Sequence, residues 1–151
     1  MDIEIIKANI EQLNTLVEFQ LLMAKETEDL DLDEDVLRQG IYAGILDSGR
    51  AIYYIAKSDK DIVGSLMITK EWSDWRNKWV IWIQSVFVPK EYRGKGVYKA
   101  LYGYIKDIAD NNDKYSGIRL YVDTTNVNAQ KVYSKLGMDS NHYQLFESMI
   151  N

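Results

Sequence analysis

Apolar and polar positions along the chain alternate with two periods, one of two residues and one near 3.6, and the switches between them mark the elements. "IEIIKA" near the start alternates as a strand does, after which Asn9 can cap a helix carrying Ile10, Leu13, Leu16, Val17, Leu21 and Ala24 at helical spacing. The acidic stretch "EDLDLDED" suits a second helix start at Asp33, Glu34 and Asp35, and that helix is expected to end near Gly49 after Ile45 and Leu46. "AIYYIAK" and "IVGSLMIT", separated by the polar "SDKD", predict a hairpin. "EWSDWRNKW" reads as a tryptophan-rich loop, and it leads into "VIWIQSVFV", an almost wholly apolar strand that needs cover on both faces.

Beyond Pro89, "YRGKGVYKAL" opens a strongly amphipathic helix, because Val97, Ala100, Leu101, Tyr104, Ile105, Ile108 and Ala109 form one stripe. "NNDKYSG" ends it. "IRLYV" then predicts a strand, "NVNAQKVYSKL" a helix stopped by Gly137, and "YQLFE" a last strand. No repeat, low-complexity tract or linker divides the sequence, so one α/β domain spanning 1–151 is expected.

Composition narrows the chemistry. With 46% hydrophobic and 27% charged residues among 151, the chain can build a proper core. The 18 basic and 23 acidic residues leave a net charge of −5, which disfavours nucleic acid as a partner. Without cysteine, and with His142 as the one imidazole, no metal site is expected. No apolar run has the length of a membrane span and no secretory leader is legible, so no membrane partner and a cytoplasmic location are the default expectations.

The flexible, positive segment at the strand-to-helix junction calls for an anion. A helix start leaves backbone N–H groups unpaired at the positive end of its dipole; Gly94 and Gly96 remove side chains that would keep a ligand away, and Arg93 and Lys95 add charge. Neither G-x-x-x-x-G-K-[ST] nor a G-x-G-x-x-G after the first strand occurs, so nucleoside triphosphates and NAD are not favoured. "VFVPKEYRGKGVYKALY" resembles the acyl-CoA signature Q/R-x-x-G-x-G/A of the GNAT acetyltransferase superfamily, matched by Arg93 and Gly96. "NVNAQKVYSKLGM" resembles the second signature of that family through Asn126, Ala129, Tyr133 and Gly137. Tyr98 departs from the glycine or alanine usual in the family, and Met138 from the usual aromatic.

The resemblance implies a GNAT-like mixed, mostly antiparallel sheet of about six or seven strands, flanked by about four helices and splayed at the cofactor strand. It implies acetyl-CoA as cosubstrate, held by the backbone of Val86, Phe87 and Val88, by Arg93, Gly94, Lys95, Gly96, Val97 and Tyr98, and by Asn126. The activity implied is N-acetylation of a primary amine, in a small molecule or a peptide, by direct attack in a ternary complex. Tyr133 would protonate the departing thiolate, and Gln84 stands where many relatives carry a glutamate base. An amide cannot take up that proton, though Gln84 could order a water, and Glu71 or Asp74 are other candidates. Trp72, Asp74 and Trp75 are the expected substrate-binding residues, with Asp29, Asp31 and Asp33 as attractors of a cationic amine. The alternative is an acyl-CoA-binding sensor with little or no catalysis. Dimers are frequent in the family, so the resemblance allows a homodimer.

Overall fold

Sequential antiparallel strands need only short connections, whereas a parallel step needs a crossover, and the chain uses both. In the computed structural model, which describes residues 1–150, β1 (Glu4–Lys7), β2 (Ile52–Ser58), β3 (Asp61–Ser73), β4 (Lys78–Phe87) and β5 (Tyr115–Arg119) form one sheet in that order. Neighbours are antiparallel up to β4, and β5 lies parallel to β4. Helices α1 (Leu13–Glu28) and α2 (Glu34–Leu46) fill the connection from β1 to β2, α3 (Val97–Asp110) makes the β4–β5 crossover, and α4 (Val127–Lys135) follows β5. The chain packs as two compact units, Met1–Arg119 and the residues from Leu120 onward, with the sheet and the first three helices in the former.

The expected mixed, mostly antiparallel sheet with four helices is present, with five strands in place of six or seven. "YQLFE" is not a strand: Tyr143–Glu147 adopt neither helix nor strand, since alternation alone yields a strand only where a neighbouring edge completes the ladder. The strand expected at "IRLYV" is shifted toward the N-terminus and closes at Arg119. The tryptophan-rich loop is also corrected. β3 continues through Trp72 and Ser73, Trp72 sits opposite Trp79 with the rings edge to face at 5.0 Å, and the turn shrinks to Asp74–Asn77. Aromatic cross-strand pairing outweighs the loop-forming character of the neighbouring Ser and Asp.

The two faces of the sheet are covered by different helices. Met67 of β3 packs with Leu16, Val17 and Ile41 from α1 and α2 and with Tyr53 and Ile55 of β2. Gly64, three residues earlier and therefore on the opposite face, meets α3: a Cβ added there would lie 2.8 Å from Val97 Cγ1 and 3.3 Å from Leu101 Cδ1. The first turn of α3 thus rests directly on the backbone of β3. Val97, Leu101 and Ile105 are buried, which fixes the helix start relative to the end of β4.

Replacing Gly64 with Ala forces α3 outward. Overpacking of this kind costs about 1–3 kcal/mol, so urea unfolding of Gly64→Ala should show a loss in that range, whereas Gly103→Ala, with open space around its Cβ, should show none.

Candidate active site

The chain leaves β4 at Phe87, makes a short 3-10 turn over Lys90–Tyr92, and enters α3 through two left-handed glycines, Gly94 (φ 74°) and Gly96 (φ 81°). Those φ values strain any side-chain-bearing residue. A Cβ at either glycine would nevertheless meet nothing within 4 Å, so the space beside the turn is open. Gly96 is the N-cap and brings no capping oxygen, and the first turn of α3 has no acidic side chain. A 14-residue helix therefore begins with its positive end exposed on a turn flanked by exposed Lys95 and Lys99, an arrangement suited to a phosphate-bearing ligand.

Arg93 is not the mobile cation that the sequence suggests. Its guanidinium forms a two-pronged pair with Glu26 of α1, the longer contact being Nη2 to Oε2 at 3.0 Å, while Nε donates to the Val88 carbonyl at 2.8 Å. It also lies 5.7 Å over the Phe87 ring. Arg93 braces the turn to the strand end and to α1. The hydrogen bond from Arg93 holds the Glu26 carboxyl below its ordinary range, and the same contact raises Arg93. Tyr98 stacks along α3 on Tyr102, with ring centroids 6.3 Å apart, and Val97 is buried, so each would meet a ligand at the turn through its backbone.

β4 changes character one turn before this junction. Met67 pairs with Gln84 and Ser65 with Phe87, so Ser85 and Val86 together oppose Leu66 in a bulge, and Ser85 is left-handed at φ 56°. The parallel ladder to β5 stops at the Trp82–Arg119 pair while β4 runs on to Phe87, leaving its last residues with ladder bonds on the β3 side alone. Beyond Trp82, β4 has no β5 partner because β5 itself ends at Arg119. Phe87 packs against Phe19 of α1 at 5.2 Å, and the buried Gln20 of α1 donates from Nε2 to the Ser85 carbonyl at 3.1 Å. Sequence reasoning missed Gln20, although it falls on the apolar stripe of its helix, four residues after Leu16 and four before Ala24.

Val86, Val88 and the turn are thus brought together, with Gln84 beside them, its Nε2 donating to Thr69 Oγ1 at 2.7 Å. Trp72, Asp74 and Trp75 are not. They lie at the hairpin end of β3 and β4, on the order of 20 Å along the strand from Val86 at about 3.3 Å per residue. Asp74 accepts from the Trp75 N–H at 2.9 Å, and Trp75 is 90% exposed. Glu71 at that end pairs with Arg119. Of the acidic trio, Asp33 caps α2 through Val36 N–H at 3.2 Å, and Asp29 and Asp31 pair with Lys25 at 3.0 and 3.4 Å. Lys25 is raised by these contacts, first by the hydrogen bond it donates to Asp29.

In the second unit, Asn126 caps α4 by accepting from Ala129 N–H at 3.1 Å. Gly137 ends that helix at φ 89°, with Met138 N–H bonding the Tyr133 carbonyl at 3.1 Å and Gly137 N–H bonding Ser134 at 3.1 Å. Asn126 and Gly137 of the second motif therefore set the two ends of the helix. Tyr133 is half-buried on α4.

A fold with an exposed helix start after a bulged strand defines a class, and comparison agrees with it: the profile described as "Acetyltransferase (GNAT) family" matches residues 13–138. The chain belongs to the acetyltransferase (GNAT) family. Among solved structures, it is similar to a possible acetyltransferase from Clostridium difficile 630, with 42% identity, a TM-score of 0.92, and coverage of 99% of this chain and 98% of that one. AAC(6′)-Iy, solved with the bisubstrate analog CoA-S-monomethyl-acetylneamine, shares the fold at a TM-score of 0.79 and 17% identity, covering 100% of both chains. Among curated proteins, streptothricin acetyltransferase from Escherichia coli is 32% identical over 93 residues, 62% of this chain and 50% of that protein. The match spans half the length of that relative. Among the described residues no helix is long and apolar enough to cross a membrane, and no group of three or more His, Cys, Asp or Glu could hold a metal ion.

Because Arg93 depresses the Glu26 carboxyl, the pair stabilises the fold fully above the ordinary value of 4.5 and loses its contribution as pH falls through the lower folded value. Melting curves of the protein and of Glu26→Gln should therefore differ at pH 7 and converge in acid. For a partly exposed pair the difference at pH 7 should be small, about 0.2–1 kcal/mol, read from urea unfolding of the two proteins.

Proposed function

We propose that this chain transfers an acetyl group from acetyl-CoA to a primary amine of a small molecule by direct attack in a ternary complex. The observation that carries the reading is the open left-handed glycine turn at the start of α3, whose geometry suits a pyrophosphate. The residues fit the cosubstrate. Backbone amides of residues 94 to 98 would hold the pyrophosphate, with Lys95 adding charge, and Asn126 would add a contact from the second signature. The backbone of Val86, Phe87 and Val88, at the end of β4 with no β5 ladder, would hold the pantetheine arm and the acyl carbonyl. Bound acetyl-CoA supplies an activated acyl group as a thioester.

The chain's own groups then have three tasks. A β4 N–H aimed at the acyl oxygen stabilises the charge that grows there as the amine nitrogen bonds to the carbonyl carbon and the carbon–sulfur bond breaks. Tyr133 donates its phenolic proton to the departing sulfur. Gln84, whose Nε2 is engaged by Thr69, keeps Oε1 to orient a water that carries away the amine proton. The similarity to streptothricin acetyltransferase supports a small-molecule acceptor over a peptide.

A specific observation favours a second reading, an acyl-CoA sensor: the side chain at position 84 is an amide that donates to Thr69, with no proton-accepting carboxylate in its place. Thiol release from acetyl-CoA across a panel of amines separates the two. Acceptor-dependent release supports the transferase, and saturable binding without release supports the sensor. Tyr133→Phe should lower kcat by about a hundredfold, in the range typical of general acid catalysis, with acetyl-CoA affinity held within twofold. An unchanged kcat removes the phenol from the reaction.

A further inference from the structure

The buried Gln20 is a polar side chain on the apolar stripe of α1, and its bond crosses 65 residues of sequence to the Ser85 carbonyl. Burying an amide is unfavourable unless its hydrogen bonds are made, so the contact bears on the conformation of its partner. Ser85 is where β4 carries its bulge and its left-handed backbone, a conformation that persists only where the surroundings impose it. A trans peptide is planar with its C=O and N–H pointing opposite ways, and the described residues contain no cis bond. Fastening the Ser85 carbonyl toward α1 therefore turns the Val86 N–H away from α1. The opposite face of the sheet is the one that α3 covers at Gly64, and the exposed helix start belongs to α3.

We propose that Gln20 is a positioning residue that holds the Ser85–Val86 peptide so that the Val86 N–H faces the acyl oxygen. This rests on the transferase reading above. The neighbouring contacts of α1 serve the strand beyond that point: Phe19 packs on Phe87, and Glu26 braces Arg93. Gln20 acts at the bulge itself. Its loss should disturb charge stabilisation during attack and leave the pyrophosphate turn as it is, which separates it from a residue that merely supports the fold. The pyrophosphate turn begins beyond the Phe87 and Val88 contacts, so binding and chemistry report different stretches of the chain.

Three variants test this: Gln20→Met, which fills the space without a donor, Gln20→Asn, which keeps the donor but shortens its reach, and Gln20→Glu, which donates only when protonated. With an amine on which the protein is active, Gln20→Met should lose about tenfold in kcat, a modest share of what displaced alignment can cost, with coenzyme A affinity within twofold. For Gln20→Glu, the ratio of its kcat to that of the parent protein should rise as pH falls, because the neutral carboxyl regains a proton to give to Ser85. Gln20→Asn should resemble Gln20→Met. Unchanged kcat in Gln20→Met, a pH-independent ratio in Gln20→Glu, or parallel losses of kcat and coenzyme A affinity would each overturn the assignment. If the parent protein itself binds coenzyme A without turning over any amine, the transferase reading fails instead, and the parent assay shows this before any variant is made.

Discussion

The opening N–H groups of an α-helix have no carbonyl to meet inside the helix, and in α3 the chain leaves that end without a capping side chain. Most features of the first unit follow from keeping it there. Gly64 lets Val97 and Leu101 settle on the backbone of β3, so the helix start is set by van der Waals contact with the sheet. The two glycines take the left-handed turns that aim the chain into the helix without adding side chains on the open side. Arg93, between the strand end and these glycines, directs its charge inward to Glu26 and Val88 and acts as a strut. A guanidinium paired in two places holds geometry better than a solvated lysine, whose role here falls to Lys95.

α1 supplies the counterpart on the other face. Over two turns it presents Phe19 to Phe87, Gln20 to Ser85 and Glu26 to Arg93, so one rigid element meets β4 at its bulge, its last residue and the turn beyond it. Each contact is weak in isolation. Because they share one helix backbone, moving any of them requires moving the others, which is how a strained residue such as Ser85 can be maintained. The core beneath α1, built on Leu16 and Val17 with Ile41 and Ile55, anchors the helix itself.

The fold was legible where periodicity was long: α2, α3 and α4 fall where their stripes place them, with Asp33 and Asn126 accepting from first-turn amides, while Asn9 caps a 3-10 turn over Ile10–Gln12 and α1 itself begins at Leu13. The Asp74–Asn77 turn was overdrawn into a loop because the strand-forming partner of Trp72 is Trp79, beyond the turn, and pairing is a property of two segments. "YQLFE" failed in the opposite sense, having the pattern of a strand and no ladder. At the site, the glycine turn was visible as a local motif. The bulge was not, because it exists only in the register between β3 and β4, and the Glu26–Arg93 brace joins residues 67 apart. Gln20 left one trace, a polar residue in an apolar stripe, which alone does not say what it touches.

The aromatic hairpin and the acidic loop after α1 both meet their charge needs largely within the chain. Trp72, Trp79 and Trp75 gather at the far end of β4, where Lys70 lies 5.1 Å over the Trp79 ring and Glu71 pairs with Arg119. One cation, Lys70, already lies over the Trp79 ring, and Arg119 neutralises Glu71. The acids after α1 are similarly engaged, Asp29 and Asp31 by Lys25 and Asp33 by the amides of α2. The Lys25 pairs with Asp29 and Asp31 are exposed to solvent, so each is weak enough to exchange. Lys25 reaches both carboxylates at once, so the negative charge of that loop is partly neutralised within the chain.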